Sequence, residues 1–345
     1  MSKRVTIVDI AARAGVHFTT VGRALNGDPR VRAATLSKIQ AIAKEMGYVP
    51  DPMLSAFSAY RKAQKPTNYQ ETLAWITTHP TREGWRRGAF NLFYQGAKRR
   101  SSELGYRLEE FWLKEPRMTS KRANTVLSNR GIRGLLIAPL PVAHGHLSLD
   151  WRLFSAATFG FTLAWPRLQT VVTTHYQDAV VAVRHLRSLG HKRLGWANDR
   201  IIDERVGRQW KAGFWSEAQE IPAARKIPIF SVSPFEQHAF LAWFERYRPT
   251  AVLTSDPLNC GRLILEWLRG AGYEVPKEVS VVVVNIQGEE EVFSGIKEAS
   301  LQIGEAAVNL LAGLIRDGKR GVPEFPSRTL IEGLWLDRKT VARPA

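Results

Sequence analysis

The chain carries a single cysteine, Cys260, among 345 residues. One thiol excludes an intrachain disulfide framework and a cysteine-rich zinc site, and it suits a reducing compartment. Long apolar runs are missing too. No stretch reaches the roughly 18 consecutive apolar residues of a spanning helix, so no membrane partner is expected. Met1–Arg4 leads into a polar helix with no apolar signal-peptide region behind it, which points to a cytoplasmic location. Acidic residues are scarce beside basic ones, 32 Asp and Glu against 49 Lys and Arg, for a formal net charge of +17. That balance favours a polyanionic partner. It is steepest in residues 1–66, which hold eleven Lys or Arg and four Asp or Glu. Catalytic signatures are also absent: no dinucleotide fingerprint, phosphate loop, HExxH or GxSxG occurs. The eight histidines show no ligand spacing, and the His144/His146 pair reads as a surface loop. No enzyme, metal centre or cofactor is expected.

The composition that remains, 44% hydrophobic, builds an ordinary buried core, and the length allows a small head plus a larger body. Thr6 precedes an apolar-periodic segment with Asp9 three residues on, an N-cap arrangement. Ile7, Ile10 and Ala11 share a face, and Gly15 stops this helix. A second segment, Phe18–Leu25, follows after a short turn. A third runs from about Ala33, with Leu36, Ile39, Ile42, Ala43 and Met46 at helical spacing and Gly47 as its stop. Two short helices joined by a glycine-containing turn and braced by a third describe a helix-turn-helix.

The motifs D-I-A-x-x-A-G-V (9–16), T-V-x-R-A-L-N-G (20–27), T-x-x-x-I (35–39) and G-Y-x-P (47–50) resemble the head of the lactose-repressor (LacI/GalR) family of bacterial transcriptional regulators. The resemblance implies that the second helix enters the DNA major groove. Phe18, Thr19 and Arg23 fall at its base-reading positions, and Thr6, Thr20 and Asn26 at its phosphate contacts. The chemistry agrees, since Arg can pair bidentately with guanine and Thr offers a hydroxyl and a methyl. Phe18 offers only apolar or stacking contacts; packing inside the head is its other reading. His17 replaces the usual capping serine and Gly22 a second serine. Either the phosphate grip is weaker there, or His17 itself contacts phosphate.

Residues 51–70 read as a hinge helix and linker. Asp51 and Pro52 are good N-cap and N1 residues, but about eight helical residues are too few to fold alone. In the family this segment folds on DNA, and two copies wedge a leucine pair into the minor groove. Phe57 occupies that leucine's position, and Phe is an accepted wedge; an exposed linker aromatic is the alternative.

From about residue 71 strand and helix signals alternate: Leu73–Thr77, Arg107–Trp112, Gly134–Pro139, Arg193–Ala197, Ala251–Thr254 and the uninterrupted Val279–Val284 as strands, with helices between them. Such runs predict parallel sheets flanked by helices. The segments 185–197, 249–261, 271–285 and 293–311 resemble the family's sensor domain. The expected fold is therefore α/β: an N-terminal all-α helix-turn-helix head (1–50), the hinge (51–70), and a two-lobed periplasmic-binding-protein-like core (71–345). One lobe takes about 71–173 and 295–326, the other about 174–294 and 327–345, with crossovers near 173–175, 294–296 and 325–329.

The resemblance places a small-molecule effector between the lobes. Phe90, Trp210, Asn285 and Asp256 are the candidate contacts. Trp210 stands where the family usually has an arginine, Asn285 where an aspartate is common, and Thr174 where another aspartate opens the crossover. These losses imply a less charged, more aromatic pocket for a neutral ligand such as a sugar, or a cleft filled by Trp210 with no effector at all; plain packing is an equal reading of Trp210. Asp256 reads as a helix cap before it reads as a ligand contact. The expected function is a dimeric repressor on a pseudo-palindromic operator. A sugar-binding receptor would share the body but not the head.

Overall fold

The computed structural model describes residues 5–25, 31–48, 71–86, 89–289 and 291–344. In the head, α1 (Ile7–Ala14), α2 (Phe18–Leu25) and α3 (Ala33–Glu45) bury Ile10, Ala14, Val21, Ala24, Ile39 and Ala43 against one another. Local chemistry sets their ends. Thr6 and Asp9 form a capping box at the start of α1, and Gly15, at φ 67°, closes it in a left-handed conformation that lacks a Cβ penalty. Lys38 Nζ donates to the Ala14 carbonyl at 3.0 Å, satisfying an end-of-helix acceptor and tying α3 to α1.

The body holds two six-stranded sheets. The first comprises β1 (Glu71–Thr77), β2 (Tyr106–Trp112), β3 (Gly134–Ile137), β5 (Ser155–Phe159), β7 (Gln169–Thr173) and β13 (Arg328–Ile331). Its order is β13-β7-β5-β3-β1-β2, and every pairing is parallel. Helix α4 (Ala89–Glu103) follows β1, α5 (Ser120–Asn129) follows β2, and a small two-stranded ribbon pairs β4 (Gly145–His146) with β6 (Leu163–Trp165). The second sheet comprises β8 (Leu194–Asp199), β9 (Phe230–Val232), β10 (Ala251–Thr254), β11 (Ser280–Ile286), β12 (Ser294–Lys297) and β14 (Leu334–Leu336). It is parallel except for β14, which runs antiparallel to β12. Its helices are α6 (His175–Ser188), α7 (Arg200–Arg205), α8 (Gln209–Ala218), α9 (Gln237–Tyr247) and α10 (Arg262–Gly270). All seven residues of β11 are buried, as its unbroken Val run requires of a central parallel strand.

The chain crosses between lobes three times. The first crossing lies at Thr174, within the expected 173–175. The other two come later than the sequence reading placed them. Residues 294–297 still pair with β11, so the chain leaves the second lobe only at Glu298–Ala299, before α11 (Ser300–Arg316) packs on α4. Residues 328–331 still pair with β7, so the last crossing is at 332–333 rather than 325–329. Backbone proximity explains the extension of β12: Gly295 sits at φ 150°, and a Cβ there would lie 1.8 Å from the Val283 carbonyl oxygen. Only glycine lets β12 close on β11. No helix among the described residues is long and apolar enough to cross a membrane.

Candidate nucleic-acid interface and inter-lobe cleft

Helix α2 has two unlike sides. Val21 and Ala24 are buried in the head core, while Phe18, Thr19 and Arg23 are exposed. At about 100° per residue those three, with Gly22 among them, span an arc of roughly 140° opposite the buried pair. Phe18 is 48% exposed, so it is not a head-core residue. Its ring lies 4.3 Å from that of His17. His17 takes over the cap that a serine would supply: Nδ1 accepts from the Thr19 amide at 3.4 Å and sits 2.9 Å from the Thr19 hydroxyl. Its carbonyl accepts from the Thr20 amide at 2.8 Å. A Cβ at Gly22 meets nothing within 4 Å, so packing does not demand glycine there. Thr6 donates its hydroxyl proton to Asp9 Oδ2 at 2.7 Å, and a phosphate contact by that hydroxyl requires this bond to be exchanged. Asn26 and Phe57 lie outside the described residues.

In the body, the two lobes touch where strand ends converge. The Ala89 amide donates to Gln287 Oε1 at 2.8 Å, and the Arg205 guanidinium donates to the Pro141 carbonyl. Phe90 is half-buried beside Phe93 and His79, at 6.2 and 6.3 Å between ring centroids. Asn285 is buried, and its side-chain oxygen has no partner among the described residues. Asp256 is committed within its own loop: Oδ1 accepts from the Leu258 and Asn259 amides at 3.0 and 2.8 Å, and Oδ2 from Ser255 Oγ at 3.0 Å. That geometry is a cap.

Residues 6–51 match the family model described as bacterial regulatory proteins, lacI family, and residues 183–341 match that of the periplasmic binding protein-like domain. The chain belongs to the lacI family.

Among curated relatives, the HTH-type transcriptional regulator DegA of Bacillus subtilis is 23% identical over 292 residues, covering 81% of each chain. The lactose operon repressor of Escherichia coli is 23% identical over 290 residues, covering 81% of this chain and 75% of that one. The operator-bound Lac repressor dimer with the anti-inducer ONPF superposes with a TM-score of 0.57, covering 99% of this chain and all of that one at 19% identity. A regulator CelR–cellobiose complex gives 0.56 at 20% identity over 98% of this chain. The structural likeness shows a shared fold; the family makes the chain a DNA-binding transcriptional regulator and not an enzyme.

Within that family frame Trp210 follows its packing reading and not its ligand reading. Its indole is 2% exposed and belongs to the second lobe's core with Val183, Trp196 and Phe214. It meets the edge of His175 at 4.5 Å, not an open cleft. Sequence reasoning missed His175. Burial holds this imidazole neutral by pulling its pKa down to about 3, and Phe161 of the first lobe packs on it at 5.6 Å. The only local signal was its place beside Thr174, at a crossing. The effector candidates thus do not converge on one open surface: Phe90 lines the first lobe, Asn285 ends β11, Asp256 caps its loop, and Trp210 is core.

Proposed function

We propose that this regulator is a dimeric repressor that reads a pseudo-palindromic operator with the outer face of α2 and is modulated by a small neutral ligand, such as a sugar, bound between its lobes. The supporting observation is the outward row Phe18, Thr19 and Arg23 on a helix whose other side is buried. One head spans only a half-site, so two heads on a two-fold match a palindrome. In this reading residues 1–50 are the head, 51–70 a hinge that orders on DNA, and Phe57 the minor-groove wedge. The body serves for dimerisation and sensing, and the protein acts in the cytoplasm.

Arg23→Ala is expected to weaken specific binding by about 1–3 kcal/mol per half-site and to relax preference at one base pair. Thr20→Ala, at a phosphate position, should weaken all sequences alike. A salt-dependent mobility shift with genomic fragments measures both, with a truncation lacking residues 1–66 as the blank. Equal losses on specific and random DNA for Arg23→Ala would remove the base-reading role. On circularly permuted fragments Phe57→Ala should lose the bend and Phe57→Leu should keep it.

A second reading, a core that needs no effector, is favoured by one observation: Trp210 is packed into its own lobe. Release of operator DNA by any neutral sugar would contradict it.

A further inference from the structure

A cavity of about 420 Å³ opens on the first lobe, and none of the effector candidates lines it. Thr158 of β5, Thr170 of β7 and Arg328 of β13 are register partners on three adjacent parallel strands, so their side chains form one row on one sheet face. All three line this cavity, joined by Ser327, Arg167 and Phe161. Both threonines are buried, and their protons are spent inside the protein. Thr158 Oγ1 donates to the Ile137 carbonyl at 3.2 Å, and Thr170 Oγ1 to that of Leu168 at 3.1 Å. Ser327 Oγ donates to Gln169 Oε1 at 2.6 Å. Each hydroxyl therefore offers only lone pairs to an incoming group. The arginines offer only donors. Arg328 lies over the Phe161 ring at 4.9 Å, and among the described residues neither Arg167 nor Arg328 meets a carboxylate.

We propose that this cavity binds a small hydroxylated anion, a polyol carrying one carboxylate or phosphate. The guanidinium groups take the acid and the hydroxyl oxygens accept from the ligand's own hydroxyls. A neutral sugar lacks the first half of that match and inorganic phosphate most of the second. The site is wired to the lobe junction. Phe161, beneath Arg328, packs on His175 at the first crossing, and His175 packs on Trp210. Occupancy that fixes Arg328 also fixes the ring that the second lobe rests on.

Calorimetric titration of the full chain with gluconate, glucose 6-phosphate, glucose and inorganic phosphate tests the site and identifies the acid. Binding of one or both hydroxylated acids, with glucose and phosphate at least tenfold weaker, is expected. Arg328→Gln and Arg167→Gln should each weaken the acids about tenfold or more, as loss of a charge-assisted hydrogen bond does. Thr170→Val, which keeps the shape, should weaken a hydroxylated acid about threefold or more and leave phosphate unchanged. Arg269→Gln, an exposed arginine that does not line the cavity, should change nothing. Four results overturn the proposal: no heat with either acid, glucose or phosphate binding as tightly as the acids, indifference to both cavity-arginine variants, or loss in Arg269→Gln.

Discussion

Trp210→Ala is expected to destabilise the second lobe by about 3–5 kcal/mol, the usual range for truncating a large buried aromatic. The side chain is almost wholly enclosed and fills the space between α6, α8 and β8, against Val183, Phe214 and Trp196. Those neighbours sit on three different elements, so the hole left by alanine cannot close by one side chain turning. Trp210→Phe should lose less than about 1.5 kcal/mol, because it keeps most of the ring volume. It also removes the indole N–H, which is buried without a partner among the described residues. Urea unfolding followed by circular dichroism separates the two. A loss below about 1 kcal/mol for Trp210→Ala would mean that the indole is free to leave the core. Only then does stacking on a sugar become open to it. The same pair of variants bears on the ligand: if a sugar still alters tryptophan fluorescence in Trp210→Phe, some other indole reports it.

The difference between what could and could not be read from sequence follows the range of the interactions. Thr6 and Asp9 are three residues apart, and their capping box was legible because both halves lie in one turn. The same is true of Gly15, of the apolar spacing in α3 and of the Val run in β11. The late crossings were not legible. They depend on the register of β12 on β11 and of β13 on β7, and the second pairing joins residues more than 150 positions apart. Hydrophobic pattern says that a strand has a buried face but not how far its neighbour extends. Trp210 stayed open between packing and ligand contact for a related reason. A matching motif locates its backbone, while the direction of the indole is set by His175 and Phe214, which no local spacing announces. Arg328 was likewise unremarkable until β13 brought it alongside Thr170.

The crossings also hold two buried carboxylates, and Glu298→Gln is expected to stabilise the protein at pH 8 while changing little at pH 5. Glu298 follows β12 at the second crossing, where Ser300 Oγ donates to it at 2.6 Å. Asp178 receives the Thr173 and Thr174 hydroxyls of the first crossing at 3.1 and 3.0 Å and the Gly333 amide of the third. Burial pushes Glu298 up to about 7, the nearby Asp178 charge adds to it, and the Ser300 hydrogen bond pulls it back. Burial likewise pushes Asp178 up to about 6, opposed by its three donors and assisted by Glu332. Both folded values exceed the unfolded ones, so the folded state binds protons more tightly. Their stabilising contribution is full below about pH 4 and is lost as pH rises through about 6 for Asp178 and about 7 for Glu298. The buried histidines act in the opposite sense. His175, His79 and His191 are all held below the ordinary imidazole value by burial, so they withdraw stability as pH falls below about 6.5. The wild-type profile therefore mixes two opposing slopes, and only the difference between variant and wild type isolates the carboxylate. That difference should grow from less than about 1 kcal/mol at pH 5 to roughly 3 kcal/mol above pH 8, since a tenfold change in a group's acidity is worth about 1.4 kcal/mol. Glutamine keeps an acceptor for Ser300 and cannot ionise, so it leaves the junction's shape intact. Urea unfolding at half-unit steps from pH 5 to 8.5 measures the difference. Parallel profiles for Glu298→Gln and wild type would mean that water reaches Glu298 and that the junction carries its charge freely.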